Sequence, residues 1–325
     1  MRDDRHSERG AALLTVLLLV AIVGAMAAAT LEKLNLATRQ ASNAKAMEQA
    51  RGWSQAAATM ALIRIEAVLG QDRSRVSLVG GWSDRPFPLP IPDGTVTVRV
   101  HDGGNCFNLN SLVVQTGPDT YGVRMPGVAQ FARLMRLIGI SGGDSIAAAS
   151  ADWIDSDNAP IAGGAEDAAY SGLQPAYRPA DTLMADPSEL RAVLGVTPQT
   201  YDKIRPFVCT FPTTQPARIN VNTIEPERAA LIAAMAPDTV GVEQVRQALL
   251  TRPDAGWAST NDFWSRGALA GAAPGDALAA TAVTTQWFAL VTDVTIGRTS
   301  LRQTGLIDAS QAHPRLVARQ WGEGG

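Results

Sequence analysis

Residues 11–31 read AALLTVLLLVAIVGAMAAATL, and no charged residue interrupts them. As a helix rising about 1.5 Å per residue this run would be roughly 30 Å long, the thickness of a bilayer's hydrocarbon core. The segment before it, MRDDRHSERG, is polar and carries Arg2, Arg5 and Arg9. Orientation in membranes follows basic residues rather than net charge, so these arginines point to a cytoplasmic N-terminus. Lys33 and Arg39 beyond the run reduce that asymmetry. The rival reading is a cleaved secretory signal, with Ala27, Ala28 and Ala29 as the small-residue cleavage site. Such signals have an apolar core of roughly 7–15 residues, shorter than this one, so length favours an anchor.

Helical character continues past the run. No proline occurs between residues 32 and 69, and Ala, Leu, Met, Glu, Gln and Arg dominate there. These are strong helix formers, and Gly52 interrupts them at modest cost. Ala50, Trp53, Ala57, Met60, Ala61 and Ile65 recur at helical spacing and are expected to face a folded domain.

The chain has 325 residues, enough for two or more packed modules, and 46% are hydrophobic, an ordinary globular share. Its 29 glycines and 19 prolines predict many turns. The formal net charge of −3 lacks the basic excess typical of nucleic-acid binders, though it leaves room for a local basic patch. The two cysteines, Cys106 and Cys209, permit one disulfide or two small buried thiols, and their residue types do not choose between these. Compartment would choose, because disulfides persist outside the cytosol.

Turns are expected around Gly80-Gly81 and at Pro86, Pro88, Pro90 and Pro92, followed by a strand, Thr95 to Val100, with alternating β-branched residues. Two phrases alternate apolar residues with Asn: Phe107-Asn108-Leu109-Asn110-Ser111 and Ile219-Asn220-Val221-Asn222-Thr223. They are either a repeat or two helix-capping motifs of similar composition. Residues 126–150, 188–207 and the stretch EPERAALIAAMA after Thr223 read as helices, with Pro226 in a first turn and Gly195 as a C-cap. Gln286–Ile296 and Ser300–Ser310 return to strand character, and Arg315–Gln320 is an edge strand or a tail. The order of helix, strand, helices and strands predicts an α+β fold.

One constellation carries chemistry. Asp152, Asp155, Asp157, Glu166 and Asp167 fall within residues 152–170, DWIDSDNAPIAGGAEDAAY. Carboxylates this dense repel one another unless a cation compensates. Oxygen donors among turn-forming Gly and Asn suit Ca²⁺, whereas zinc would want the His or Cys that the loop lacks. The spacing is not that of an EF-hand. The plainer alternative is a solvated acidic loop. No GxSxG, HExxH or P-loop pattern occurs, and His101 and His313 stand apart in sequence, so an enzyme is not expected.

Arg9-Gly10 followed at once by an apolar helix resembles the leader of type IV pilins and pseudopilins. The resemblance implies cleavage by a prepilin peptidase between Gly10 and Ala11, leaving a methylated Ala11. Most members carry Glu at the fifth mature position, where this chain has Thr15. The large minor pseudopilin of type II secretion, the K subunit, is the member that lacks this Glu. A lipid-buried carboxylate is costly without a partner, and a tip subunit has no neighbour above it to supply one. The Asp-Trp-Ile-Asp-x-Asp phrase with Pro160, Gly164-Ala165-Glu166-Asp167 and Tyr170, and both Asn-rich phrases, are also similar to the K family. Asn-Val-Asn-Thr further resembles the opening of helix-hairpin-helix units, but Glu225, Glu227, Asp238, Glu243 and Asp254 oppose Arg228, Arg246 and Arg252, so no nucleic acid is expected there.

The K-family resemblance implies a type IV pilin-like α+β fold. A long N-terminal helix and a small antiparallel sheet would be interrupted by a large α-rich insertion. The expected division is leader 1–10, transmembrane segment 11–31, periplasmic helix 32–70, first part of the pilin-like domain 71–110, insertion with a metal-binding loop 111–210, helical segment 211–285, and terminal strands and tail 286–325. Asp152, Asp155, Asp157, Glu166 and Asp167 would hold one or two structural calcium ions. With both cysteines then outside the cytosol, a Cys106–Cys209 disulfide is expected, although many members lack a cysteine at position 106. The implied function is non-enzymatic. A single-pass inner-membrane subunit of a Gram-negative cell would sit with its bulk in the periplasm, at the tip of the secretion pseudopilus. It would initiate assembly with the I and J minor pseudopilins and support export of folded proteins. A minor subunit of a type IV pilus, in adhesion or DNA uptake, is the alternative.

Overall fold

The computed structural model describes residues 4–72 and 74–322, with side chains from residue 11 onward. Arg2, Arg5, Arg9 and most of the expected leader therefore lie outside the described side chains, and the expected processing at Gly10 lies at their border. A single helix, α1, runs Asp4–Gln71 over 68 residues, about 100 Å at helical rise. Its apolar window has a mean hydropathy of 2.7, and residues 11–45 are all exposed, so this half packs against nothing among the described residues.

The second half of α1 lies on a five-stranded antiparallel sheet. The strands are β1 (Phe87–Ile91), β2 (Gly94–Asp102), β3 (Trp287–Ile296), β4 (Thr299–Asp308) and β5 (Arg315–Trp321), in that spatial order. Val96, Val98 and Val100 alternate inward on β2, as period-2 patterning requires, and meet Phe288, Leu290 and Val294 of β3 and Ile65 of α1 in one core. Ala50, Ser54, Ala57, Ala58 and Ala61 form the buried stripe of the helix. Small residues bring its backbone close to the sheet, and Ser54 Oγ donates to Gln303 Oε1 at 2.8 Å. Trp53 and Met60, expected in that stripe, lie outside it at 39% and 46% exposure. The stripe is narrower than apolar spacing suggested, because α1 meets the sheet through alanines.

The proline-rich stretch forms β1 rather than a string of turns. Its prolines occupy an edge, where a missing N–H costs no ladder bond on the open side. Arg315–Trp321 is the opposite edge strand, with a register shift against Leu306/Ile307.

Strands β2 and β3 pair in full register, Gly94↔Ile296 through Asp102↔Phe288, although the chain between them is a long helical excursion. That excursion holds two units with one plan. In the first, Phe107-Asn108 pairs in parallel with the returning Val208-Cys209. Between them run α2 (Met125–Leu137), α3 (Gly143–Asp152), α4 (Asp167–Ser171) and α5 (Pro198–Ile204). In the second, Ile219-Asn220 pairs in parallel with Thr281-Ala282, around α6 (Ala230–Met235), α7 (Val242–Leu250), α8 (Thr260–Trp264) and α9 (Ala277–Ala280). One hydrophobic core, from Phe107 to Ala277, runs through both. The expected helix at Ser188–Leu194 is a 3-10 turn, Pro187–Ala192. Gly195 is left-handed, at φ 86°, but follows an extended Val193 rather than capping an α-helix.

The Asn side chains explain the repeated phrase. Asn110 donates to Met184 O and Phe211 O at 2.9 and 2.8 Å and accepts from Met184 N–H. Asn222 donates to Trp257 O at 3.0 Å and accepts from Trp257 N–H. Each acts as a spare peptide group that fixes a returning segment by backbone atoms alone. Cys106 and Cys209 are disulfide-bonded, with Cα atoms 5.8 Å apart, and close the first unit.

Candidate metal centre

Helix α3, GDSIAAASAD, is buried from Ile146 to Asp152 because its alanines let neighbouring elements approach closely. It ends at Asp152, which places a carboxylate at the negative end of the helix dipole, where a cation is preferred. The chain turns through Asp155, loops outward and returns at Ala165-Glu166 before α4. Asp152, Asp155 and Glu166 are 0%, 1% and 4% exposed. Oxygens of all three lie within 4.8 Å of one another.

Such a cluster is costly on its own. Two ionised carboxylates at that separation repel by about 3–4 kcal/mol at an effective dielectric of ~20. Asp152 Oδ1 accepts from Ile161 N–H at 3.3 Å. Asp152 Oδ2, Asp155 Oδ1 and both carboxylate oxygens of Glu166 have no hydrogen-bond partner, and no ion pair reaches the three among the described residues. Burial, then the charges of Asp157, Asp152 and Asp181, pushes Asp155 up to about 7. Burial, then Asp155, Asp152, Asp181 and Asp157, pushes Glu166 up to about 8. Asp152 is raised as well, chiefly by burial.

The other two expected ligands stand apart from this cluster. Asp157 is exposed and accepts from Ala159 N–H at 2.8 Å, so it contributes charge at the rim. Asp167 opens α4 and lies 3.7 Å from Arg178. Asp181 belongs to the same neighbourhood although it falls beyond the acidic phrase. Its φ of 51° and its N–H bond to Trp153 O at 3.2 Å hold it there. Nothing in the sequence around Pro179-Ala180-Asp181 marks it, because packing of a distant segment brings it to the cluster.

Gly164 fits the cluster closely: a Cβ there would lie 1.9 Å from Asp152 Oδ2. Trp153, Tyr170 and Tyr177 pack against one another with ring centroids 5.3–6.2 Å apart, and Tyr170 feels the charges of Asp152 and Glu166. The structure thus has unpaired, buried, all-oxygen donors in a tight cradle. That donor set suits a hard divalent cation of flexible coordination, and Ca²⁺ fits better than zinc, which favours nitrogen and sulfur.

Two family models, both described as type II secretion system (T2SS), protein K, match residues 105–213 and 219–286, and the matches divide where the two structural units divide. The type II secretion system protein K of Pectobacterium carotovorum is 31% identical over 321 residues, covering 98% of both chains. That of Aeromonas hydrophila is 35% identical over 256 residues, covering 76% of this chain and 77% of the relative. That of Pseudomonas aeruginosa is 31% identical over 335 residues, covering 99% and 95%. The fold is similar to a crystal structure of the GspK-GspI-GspJ complex from enterotoxigenic Escherichia coli, with a TM-score of 0.75 and 27% identity. The likeness covers 86% of this chain and 98% of the solved one.

Proposed function

We propose a role that proceeds from one fact: the chain belongs to the type II secretion system protein K family. It is a minor pseudopilin of that system rather than a subunit of a type IV pilus. Its family is a structural component, and its role rests on assembly. The apolar half of α1 anchors the chain in the inner membrane as a single span, and the folded part lies in the periplasm. A prepilin peptidase cuts between Gly10 and Ala11, and the new N-terminus is methylated. The complex in which the solved relative was crystallised supports I and J pseudopilins as partners.

The observation that carries the tip position is the excursion between β2 and β3. It inserts two helical units between adjacent paired strands of a five-stranded sheet. A head enlarged in this way obstructs stacking of further copies along a fibre, while its helix can still join a bundle from above. Thr15, with its hydroxyl turned back to Ala12 O at 2.9 Å, brings no carboxylate into the membrane. The subunit then starts the pseudopilus and remains at its end, supporting export of folded proteins.

Calcium is the second part of the proposal. Asp152, Asp155 and Glu166 hold the ion, and Asp157, Asp167 and Asp181 add negative charge at the rim. The ion's role is structural: it neutralises the cluster and fixes the α3–α4 loop.

Export of folded substrates in a strain lacking the gene, with surface pili counted in parallel, tests the assembly role. Lost export with normal pili is expected. Normal export, or lost pili with export intact, would overturn it.

A further inference from the structure

We infer that the cleft between the outer face of the sheet and the first helical unit is a binding site for an extended acidic segment of a protein. This goes beyond the assembly role and can fail without it. The cleft has a cavity volume of about 310 Å³. One wall is the sheet face turned away from α1, where Ala289 and Val291 of β3 and Leu306 of β4 are half-buried. The other wall runs from Asp186 to the Arg205–Phe211 stretch, beside the disulfide. Gln320 Nε2 donates to Asp186 Oδ2 at 2.8 Å and ties the walls together at one end.

The charge of the cleft opposes that of the protein. The chain is −3 overall, yet Arg205, Arg228 and Arg319 all line this one cavity. Two carboxylates share it. Asp102 is buried, held by the Thr223 and Thr285 hydroxyls and the Gly104 N–H, and burial drives it toward the neutral form. Asp186 is engaged by Ser188, Gln320 and Arg205. On the solvent side, Arg228 faces Glu225 at 3.5 Å, a screened surface pair of little strength. Arg319 lies over the Trp321 ring at 5.0 Å and has no ion pair among the described residues.

Guanidinium groups above a partly apolar floor recognise carboxylates that alternate with small apolar side chains. A cleft between two packed modules is also a common position for a binding site. Strand β5, residues 315–321, carries two arginines and no acid of its own, and the one ionised carboxylate beside it in the cleft, Asp186, is already engaged by Gln320 and Ser188.

The test uses the full-length chain in a non-ionic detergent and a fluorescein-labelled peptide alternating Glu and Val, read by anisotropy. Saturable binding is expected. Arg319→Glu or Arg205→Gln should weaken it by about tenfold or more, and added salt should weaken it further. A matched Gln-Val peptide should bind poorly. Circular dichroism confirms that each variant is folded, and the exposed Arg319→Gln serves where Arg205→Gln perturbs the fold. Absence of saturable binding at millimolar peptide, equal binding of the Gln-Val peptide, or unchanged binding by folded variants would overturn the inference.

Discussion

The two helical units answer the same architectural problem with different chemistry. Both open on an Asn-rich phrase, and in both an Asn side chain grips a returning segment through its backbone. The second unit is then complete. Its aromatic residues Trp257, Phe263 and Trp264 stack edge to face, and Trp264 Nε1 donates to Thr281 Oγ1 at 3.1 Å. The first unit buries three carboxylates with unpaired oxygens and adds a disulfide across its base. The same phrase thus supports a unit that closes on its own atoms and one that leaves a buried set of carboxylate oxygens without partners.

The largest expected difference is in metal dependence. For the full chain in detergent, saturating Ca²⁺ should raise the melting temperature of the first unit by on the order of 10 °C over chelator. Near-ultraviolet signals from Trp257 and Trp264 should not move in that step. Equal melting with and without Ca²⁺ would erase the contrast. A pH series sharpens it. In chelator, the raised pKa values of Asp155 and Glu166 favour folding while both are protonated. That contribution is complete below the unfolded carboxylate range near pH 4 and is lost as pH rises through about 7 and about 8. Metal-free protein should therefore melt lower at pH 8.5 than at pH 5.5, and Ca²⁺ should flatten this slope. A metal-free melting temperature that rises over the same range would contradict the carboxylate assignment.

The disulfide comes next. It closes a loop of 103 residues, and Cys106→Ser with Cys209→Ser should destabilise the first unit by about 2–4 kcal/mol. Hydrogen exchange should rise in α2–α5 and change little in α6–α9. Uniform exchange across both units would mean that they unfold as one body.

The Asn residues probe what the units share. Asn110→Ala and Asn222→Ala each leave buried backbone groups unpaired, at a cost of about 2–3 kcal/mol. Similar losses by chemical denaturation support a common role, and a several-fold disparity would break it. The smallest effect concerns the cradle. Gly164→Ala should weaken Ca²⁺ binding by about tenfold, since its Cβ would crowd Asp152, with stability in chelator lowered by about 1–2 kcal/mol. Unaltered affinity would place the ion elsewhere.

Much of this arrangement was legible in residue order. The uncharged run 11–31 and the alternation of Val96, Val98 and Val100 fix the long helix and the central strand, because each reflects a period set by backbone geometry. The acidic phrase marks the candidate site by composition. It does not rank its five acids, because burial separates Asp152, Asp155 and Glu166 from Asp157 and Asp167, and burial arises from packing by distant segments. Asp181 was hidden for the same reason. Strand β1 was illegible because prolines signal turns unless the open edge of a sheet is known. Trp53 and Met60 match a helical stripe by spacing, but the sheet accepts only the narrower alanine face.

The most direct measurement is calcium uptake by calorimetry on the full-length chain, paired with Asp155→Asn and Glu166→Gln. Saturable binding of one or two ions by the native chain is expected, and its loss in both variants, with the second unit still folded by hydrogen exchange. A native chain that binds no Ca²⁺ at millimolar concentration, or variants that bind it unchanged, would contradict the claim that the first unit is built around a cation.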